Sequence, residues 1–395
     1  MLGAGIQGCS AALGLAASGW SVTVIDRGSQ PFLGASRRGE GKIHLGYVYA
    51  NEPTRATAAL MVEGALAFAA SLDSWLPSPV DWPSLLSTPF TYAVPESSMV
   101  SVERLAEHYA WVDDLIASRL RDDPTAHYLG SRSVARADLL VPVPSGYSPA
   151  VVAAFTTAER AVDPTRLGGL LTRAMTERGV RTLTQRVVEA VERGPHGFCV
   201  HTTPSGEHER LGADIVVNCL WDGRLAVDAT LGISPQRPWV YRLKHGVVGR
   251  THTAIPSTTV VLGPYGDVVT WPDGRAYASW YPDGMTGWSS DLIVPAEWRA
   301  AMAADENEER SAAMTSATLA GVATIIPGAS DIEPEEVGAG VIVAWGSSDI
   351  DDPSSALHGR HEIGVHAHDG YFSIDTGKLT TAPLFAGRLV DLVSR

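Results

Sequence analysis

The sequence predicts an α/β fold in which a Rossmann-like, dinucleotide-binding unit is interleaved with an α+β unit built on a mainly antiparallel sheet. Three observations predict it. Gly3, Gly5 and Gly8 form a G-x-G-x-x-G turn that opens a helix and leads to a strand ending in an acid. A second helix-and-strand set runs from Asp163-Pro164 to Asn218. Between residues 236 and 295, short alternating β segments are separated by turn signals such as Pro272-Asp273-Gly274.

The first unit reads GAGIQGCSAALGLAASGWSVTVID over residues 3–26. Gly3 permits the tight turn, and Gly5 lets the backbone approach a pyrophosphate. Gly8, with Ala12 and Ala16 at helical spacing, lets helix and sheet pack closely. The helix N-terminus offers free N–H groups and a positive dipole end to phosphates. Gly19 ends the helix, Ser21–Ile25 is the strand, and Asp26 is placed to accept from both ribose hydroxyls. Only Met1 and Leu2 precede Gly3, so the buried strand that enters such a turn is nearly absent. Either it is unusually short or it lies upstream, and without it sheet order and cofactor affinity are expected to suffer.

Further along, an alanine-rich helix is expected over Thr54–Leu76, a proline-rich stretch over Pro77–Pro95, and a helix over Val102–Leu120. Asp163 caps a helix whose φ is pre-set by Pro164 and which Gly179 stops after Arg178. Strands are expected at Arg181–Glu192, Phe198–Thr203 and Ile215–Asn218, then at Val240–Val248, Thr258–Leu262, Asp267–Trp271 and Ala276–Tyr281. The acidic segment around Asp305–Arg310 reads as a solvated face. The last helix is expected over Thr381–Val393.

Composition excludes several classes. With 395 residues, 45% hydrophobic and 19% charged, the chain is globular and long enough for a large core. A net charge of −14 lacks the basic footprint that nucleic acid requires, so no nucleic-acid partner is expected. The cysteines, Cys9, Cys199 and Cys219, form no C-x-x-C pair, which argues against a disulfide scaffold or zinc and fits a reducing cytoplasm. No run of 18 apolar residues occurs, so no membrane span is expected. His358, His361, His366 and His368 have metal-like spacing, but a strand and loop before the C-terminal turn explain them better, and no metal is expected.

The glycine turn alone does not choose between NAD and FAD. Two other segments do: ASRRGEGKIHLGYVYA at 35–50 and GYFSIDTGKLTTAPLFAGRLV at 370–390. On these the chain resembles the D-amino-acid oxidase superfamily of flavoproteins, which includes glycine and sarcosine oxidases, 2-hydroxyglutarate oxidase and glycerol-3-phosphate dehydrogenase. The stretch Gly41–Tyr49 is most similar to the hydroxyglutarate oxidase version and Gly377–Thr381 to the glycerol-3-phosphate dehydrogenase version. The resemblance implies FAD as cofactor. It implies a discontinuous FAD-binding domain over 1–50, 155–235 and 340–395, and a substrate domain over 51–154 and 236–339. It assigns Gly3, Gly5, Ile6, Gln7 and Gly8 to the pyrophosphate turn and Asp26 and Arg27 to the end of the following strand. Ser36, Arg37, Lys42 and His44 run beside the flavin, and Val187 lies in the second cofactor segment. Gly377, Lys378, Leu379 and Thr380 approach the pyrimidine end of the isoalloxazine. Where the family has Ala-Ala-Gly-x-Trp, this chain has Asn218-Cys219-Leu220-Trp221, which puts larger side chains near the cofactor.

Oxidation by a flavin removes a hydride from a carbon held against it, while the protein supplies position and charge. A substrate carboxylate calls for an arginine fork. The candidates are Arg37, Arg38, Arg242, Arg275 and Arg360. Arg242 is favoured because it lies in an expected pocket strand beside Tyr241 and Lys244. Tyr277, Ser279 and Tyr281 should share one strand face, with Trp280 opposite, and Tyr281 is a catalytic candidate. His44 is a candidate base or orienting group, with a structural histidine as the alternative. A related His-x-x-Gly site carries flavin covalently, but the spacing here is His44-Leu45-Gly46, and no cysteine follows Cys219. The expected function is FAD-dependent oxidation of a small, carboxylate-bearing amino acid or amine at the carbon next to nitrogen. The alternative is a 2-hydroxy acid or polyol phosphate, and the third reading is a non-catalytic dinucleotide-binding protein. An NAD-dependent dehydrogenase would explain residues 3–26 but not the other two segments.

Overall fold

The computed structural model describes residues 1–204 and 206–394. The glycine turn leads into the helix Ile6–Ala17, Gly19 ends it at φ +87°, and the strand Thr23–Ile25 follows. The entering strand is reduced to Leu2, yet it holds the centre of a sheet. Leu2 N–H donates to Val217 O at 2.8 Å and Cys219 N–H to Leu2 O at 2.8 Å. On the other side Gly3 N–H reaches Ile25 O and Ile25 N–H reaches Met1 O. The spatial order is Arg181–Leu183, Thr23–Ile25, Leu2, Val216–Asn218, Tyr371–Asp375 and Gly364–His368. All neighbours are parallel except the last pair. Two residues therefore keep the sheet order that the sequence placed in doubt.

The second sheet has nine strands. Met285–Ser289, Trp239–Arg250, Arg275–Trp280, Gly266–Thr270, Thr258–Val260, Thr91–Pro95, Val151–Thr156 and Asp138–Leu140 succeed one another, and Glu333–Trp345 also pairs with Trp239–Arg250. Pairing is antiparallel save where Thr258–Val260 meets Thr91–Pro95. The thirteen-residue Glu333–Trp345 strand was not read from sequence, because acids, a proline and two glycines obscure its alternation. The expected boundary at 340 falls inside that strand, and the one at 154/155 falls inside Val151–Thr156. The expected strand Ala276–Tyr281 ends at Trp280: Pro282 supplies no N–H for a ladder, and Tyr281 instead starts a four-residue helix. Tyr281 thus leaves the face of Tyr277 and Ser279.

Ala56–Trp75 and Val102–Asp122 form the expected helices, and Asp163 caps Pro164–Glu177 through Thr165 N–H at 2.9 Å. Ala56–Trp75 has a mean hydropathy of 1.3 and is long and apolar enough to cross a membrane, although charged and polar residues interrupt its apolar run. Here Met61, Phe68 and Leu72 are buried core, and the helix packs on the C-terminal helix Ala382–Val393. The acidic segment near 305 is not simply solvated. The Glu306 side chain is only 6% exposed, 3.2 Å from His245 Nε2 and 2.9 Å from Arg310.

Candidate functional site

The three glycines of the turn differ in what they allow. Gly3 stands at φ +92°, and a Cβ there would lie 2.7 Å from Cys219 O. A Cβ on Gly8 would lie 1.9 Å from Gly3 O. Both glycines are required by the fold itself. A Cβ on Gly5 would meet only Ser36 Oγ, at 3.0 Å, so this position is open toward an incoming group. Ser36 Oγ accepts from Ile6 N–H at 2.9 Å at the helix N-terminus. Behind it Gln7 is buried with both ends of its amide unpartnered, as is Ser10 Oγ. Orphaned polar groups at an open helix N-terminus fit a bound phosphate-bearing group. Asp26 ends its strand with Oδ2 accepting from Ala4 N–H at 2.6 Å and Oδ1 from Gly28 N–H at 2.7 Å, and each oxygen retains acceptor capacity for a ribose. Arg27 is drawn aside to Asp222 at 2.8 Å. The amide of Arg186 bonds Asp26 O, which brings the half-exposed Val187 alongside.

The other end of the site is stitched from two distant turns. Lys42–Ile43 pairs with Arg160–Ala161. His44 N–H donates to Thr380 Oγ1 at 2.9 Å, and Thr380 Oγ1 in turn donates to Lys42 O at 3.3 Å. Leu379 and Thr380 lie in the 3-10 turn before the C-terminal helix. Gly377 takes φ +65°, and a Cβ there would strike Ile363. Lys42 is buried, bonded to Thr259 Oγ1 and 2.6 Å from Asp267, with its ammonium 4.3 Å from the centre of the Phe90 ring.

The electrostatics here are dense. Burial opposes ionisation of Glu40, but Lys244, Lys378 and Lys42 outweigh it and hold the carboxyl down to about 2. Burial, reinforced by Lys378 and Lys42, pushes His44 well below its ordinary value, so its imidazole is neutral. Burial and then Arg360 push Lys378 down to about 8.

A family model described as FAD dependent oxidoreductase matches residues 2–392. The chain belongs to that family. It is an FAD-dependent oxidoreductase, and the glycine turn, the open Gly5 and the orphaned amide of Gln7 fit its cofactor. No curated protein matches the chain in sequence. Among solved structures it is similar to glycine oxidase from Geobacillus kaustophilus, at 16% identity and a TM-score of 0.68, covering 100% of this chain and 93% of that one. It is similar to iminodiacetate oxidase from Chelativorans sp. BNC1, at 17% identity and a TM-score of 0.66, covering 100% and 94%. L-alpha-glycerophosphate oxidase from Mycoplasma pneumoniae with FAD bound is similar at 15% identity and a TM-score of 0.63, again covering 100% and 94%. At these identities the likeness is one of fold.

In this flavoenzyme the candidate arginines separate by partner. Arg37 and Arg38 face Glu336, and Arg275 binds Asp163 and Asp273. Arg242, the favoured carboxylate fork, is buried and already neutralised. It lies 2.9 Å from Asp349 and bonds the hydroxyl of Tyr281, which itself donates to Asp349 at 2.6 Å. Arg242 and Tyr281 are brought together, in a closed cluster with Asp349. Arg360 is different. Its Nη1 reaches only Val343 O, at 3.4 Å, and among the described residues no carboxylate lies within 4.0 Å. Burial, with Arg242 adding to it, lowers its pKa to about 10. Glu40, Glu159 and Asp349 were missed by sequence reasoning. None of the three carries a signal in sequence; Glu159 is placed only by the two-residue ladder that pairs Arg160–Ala161 with Lys42–Ile43.

Proposed function

We propose that the enzyme oxidises a small amino acid or amine that bears a carboxylate, at the carbon next to nitrogen. The observation that carries this reading is Arg360, a partly buried guanidinium with no carboxylate partner among the described residues, whose charge is felt at a neutral His44. A substrate carboxylate would satisfy its fork and restore charge balance. Bound FAD supplies the acceptor for the substrate hydride. In this reading Gly5, Ile6, Gln7 and Ser36 hold the pyrophosphate, Asp26 the ribose, and His44 takes the proton released from substrate nitrogen. Lys378 places positive charge beside the flavin rather than on the substrate. The cluster of Arg242, Tyr281 and Asp349 takes up its own charge and leaves Arg360 without a carboxylate partner among the described residues.

The second reading, a 2-hydroxy acid or polyol phosphate, is favoured by Lys244 and Lys378, which add more positive charge than one carboxylate needs. Purified flavoprotein mixed with substrates without oxygen separates the readings. Bleaching by amino acids or amines supports the first. Bleaching only by hydroxy acids or glycerol phosphate replaces it with the second, and no bleaching by either class leaves cofactor binding without catalysis.

Lys378→Met keeps side-chain length and removes the charge. It is expected to lower the flavin potential and slow reduction about 10- to 100-fold by every substrate, as loss of a nearby charge in a dry site predicts. The sign with pH follows from its lowered pKa. The lysine carries its charge below about 8 and loses it as pH rises through that value, so the wild-type reduction rate should fall there and the variant's should not. Dye equilibration and stopped-flow traces read both quantities. An unchanged potential with lost affinity for one substrate would move Lys378 into the substrate pocket.

A further inference from the structure

We propose that Glu159 is a positioning residue for His44, fixing both the ring and the turn that carries it; this rests on the reading of His44 as the proton acceptor. The backbone sets up the pair. Lys42 faces Ala161 and Ile43 faces Arg160 in an antiparallel ladder, and the next step of that register puts His44 opposite Glu159. Glu159 is completely buried. Its Oε2 accepts from Leu45 N–H at 2.6 Å, which clamps the turn one residue beyond His44. Its Oε1 accepts from Tyr92 O–H at 2.5 Å and stands 3.8 Å from His44 Nδ1. His44 Nδ1 is buried and has no hydrogen-bond partner among the described residues.

A neutral imidazole carries one proton, for which two carboxylates compete: Glu40, 4.0 Å from Nε2 and one-fifth exposed, and Glu159, 3.8 Å from Nδ1, fully buried and held in place by Leu45 N–H and Tyr92 O–H, which draws the proton to Nδ1. The lone pair is then left on Nε2, the nitrogen on the side of Glu40, at 4.0 Å. A shift of about 1 Å turns the Glu159 contact into a full hydrogen bond, and such bonds commonly tighten when substrate binds. Lys42 and Asp267 face the same carboxylate, with the phenols of Tyr92, Tyr109 and Tyr128 behind it. The arrangement is a base oriented by a third group.

The test uses holoenzyme with 15N-labelled histidine and the variants Glu159→Gln and Glu159→Asp. In the wild type the His44 nitrogen shifts should report a proton on Nδ1. In Glu159→Gln the proton should redistribute to Nε2, and flavin reduction at saturating substrate should slow about 10- to 100-fold with KM and flavin content little changed. Glu159→Asp should restore the Nδ1 proton and part of the rate. An Nδ1 proton that persists in Glu159→Gln overturns the proposal. So does equal damage by Gln and Asp, which marks a purely structural role. If His44→Asn reduces flavin at the wild-type rate, the reading of His44 as base falls, and the nitrogen shifts still decide whether Glu159 positions the ring.

Discussion

Gly5→Val is expected to give a folded, colourless protein. The backbone at Gly5 has φ −75°, which valine adopts without strain, and its Cβ would meet only the hydroxyl of Ser36. The only atom that must give way is the Ser36 hydroxyl, 3.0 Å from the added Cβ. What the side chain occupies is the approach of the pyrophosphate to the helix N-terminus, so FAD affinity should drop about 1000-fold or more, ~4 kcal/mol. The ratio of flavin to protein absorbance after reconstitution reads the loss, and circular dichroism reads the fold. Gly8→Val is the contrasting variant. Its Cβ would sit 1.9 Å from the Gly3 carbonyl, so it should fail to fold rather than merely fail to bind. A Gly5→Val protein with normal flavin content would show that the turn does not hold the cofactor.

Arg360→Gln should reduce kcat/KM for carboxylate-bearing substrates about 100- to 1000-fold, ~3–4 kcal/mol, the range seen when one partner of a desolvated charge pair is removed. The corresponding decarboxylated amine, which has nothing to offer the guanidinium, should lose little. The ratio of the two specificity constants is therefore the measurement, and equal losses for both would remove Arg360 from the substrate. Arg242→Gln should behave otherwise. It strips the partner from Asp349 and loosens Tyr281, so its main effect should be a lowered Tm with weaker discrimination between the two substrates.

What the sequence made legible was local. The glycine turn, the helix to Ala17, the cap at Asp163 and the turn at Gly377 follow from steric and capping rules that act over a few residues. The grouping of His44 with the C-terminal turn was legible only through family resemblance, and Thr380 Oγ1 joins residues more than 300 positions apart. The rest is a matter of partners. Arg242 and Arg360 look alike in sequence, and only Asp349, a hundred residues from the first, separates a neutralised arginine from a free one. Glu306 lies in an acidic run that reads as solvent-facing, and its burial depends on His245 folding back against it. Glu159 has no distinguishing neighbour at all. Its importance comes from the register of a two-residue ladder, too short to be seen as a strand pattern.

The place of Leu2 at the middle of the cofactor sheet has a bearing on how the enzyme is made. Its neighbours on one side come from residues 216–218, and the strands beyond them from 371–375 and 364–368. A nascent chain carrying only its first hundred residues has the glycine loop but no sheet to seat it. Four of the six members lie beyond residue 100, and two of them fall within residues 364–375. Such long loops must close before their contacts reward them. The seat of the glycine turn is thus complete only once residues 364–375 are in place, and a stop before them removes the cofactor site as surely as a lesion in the turn itself.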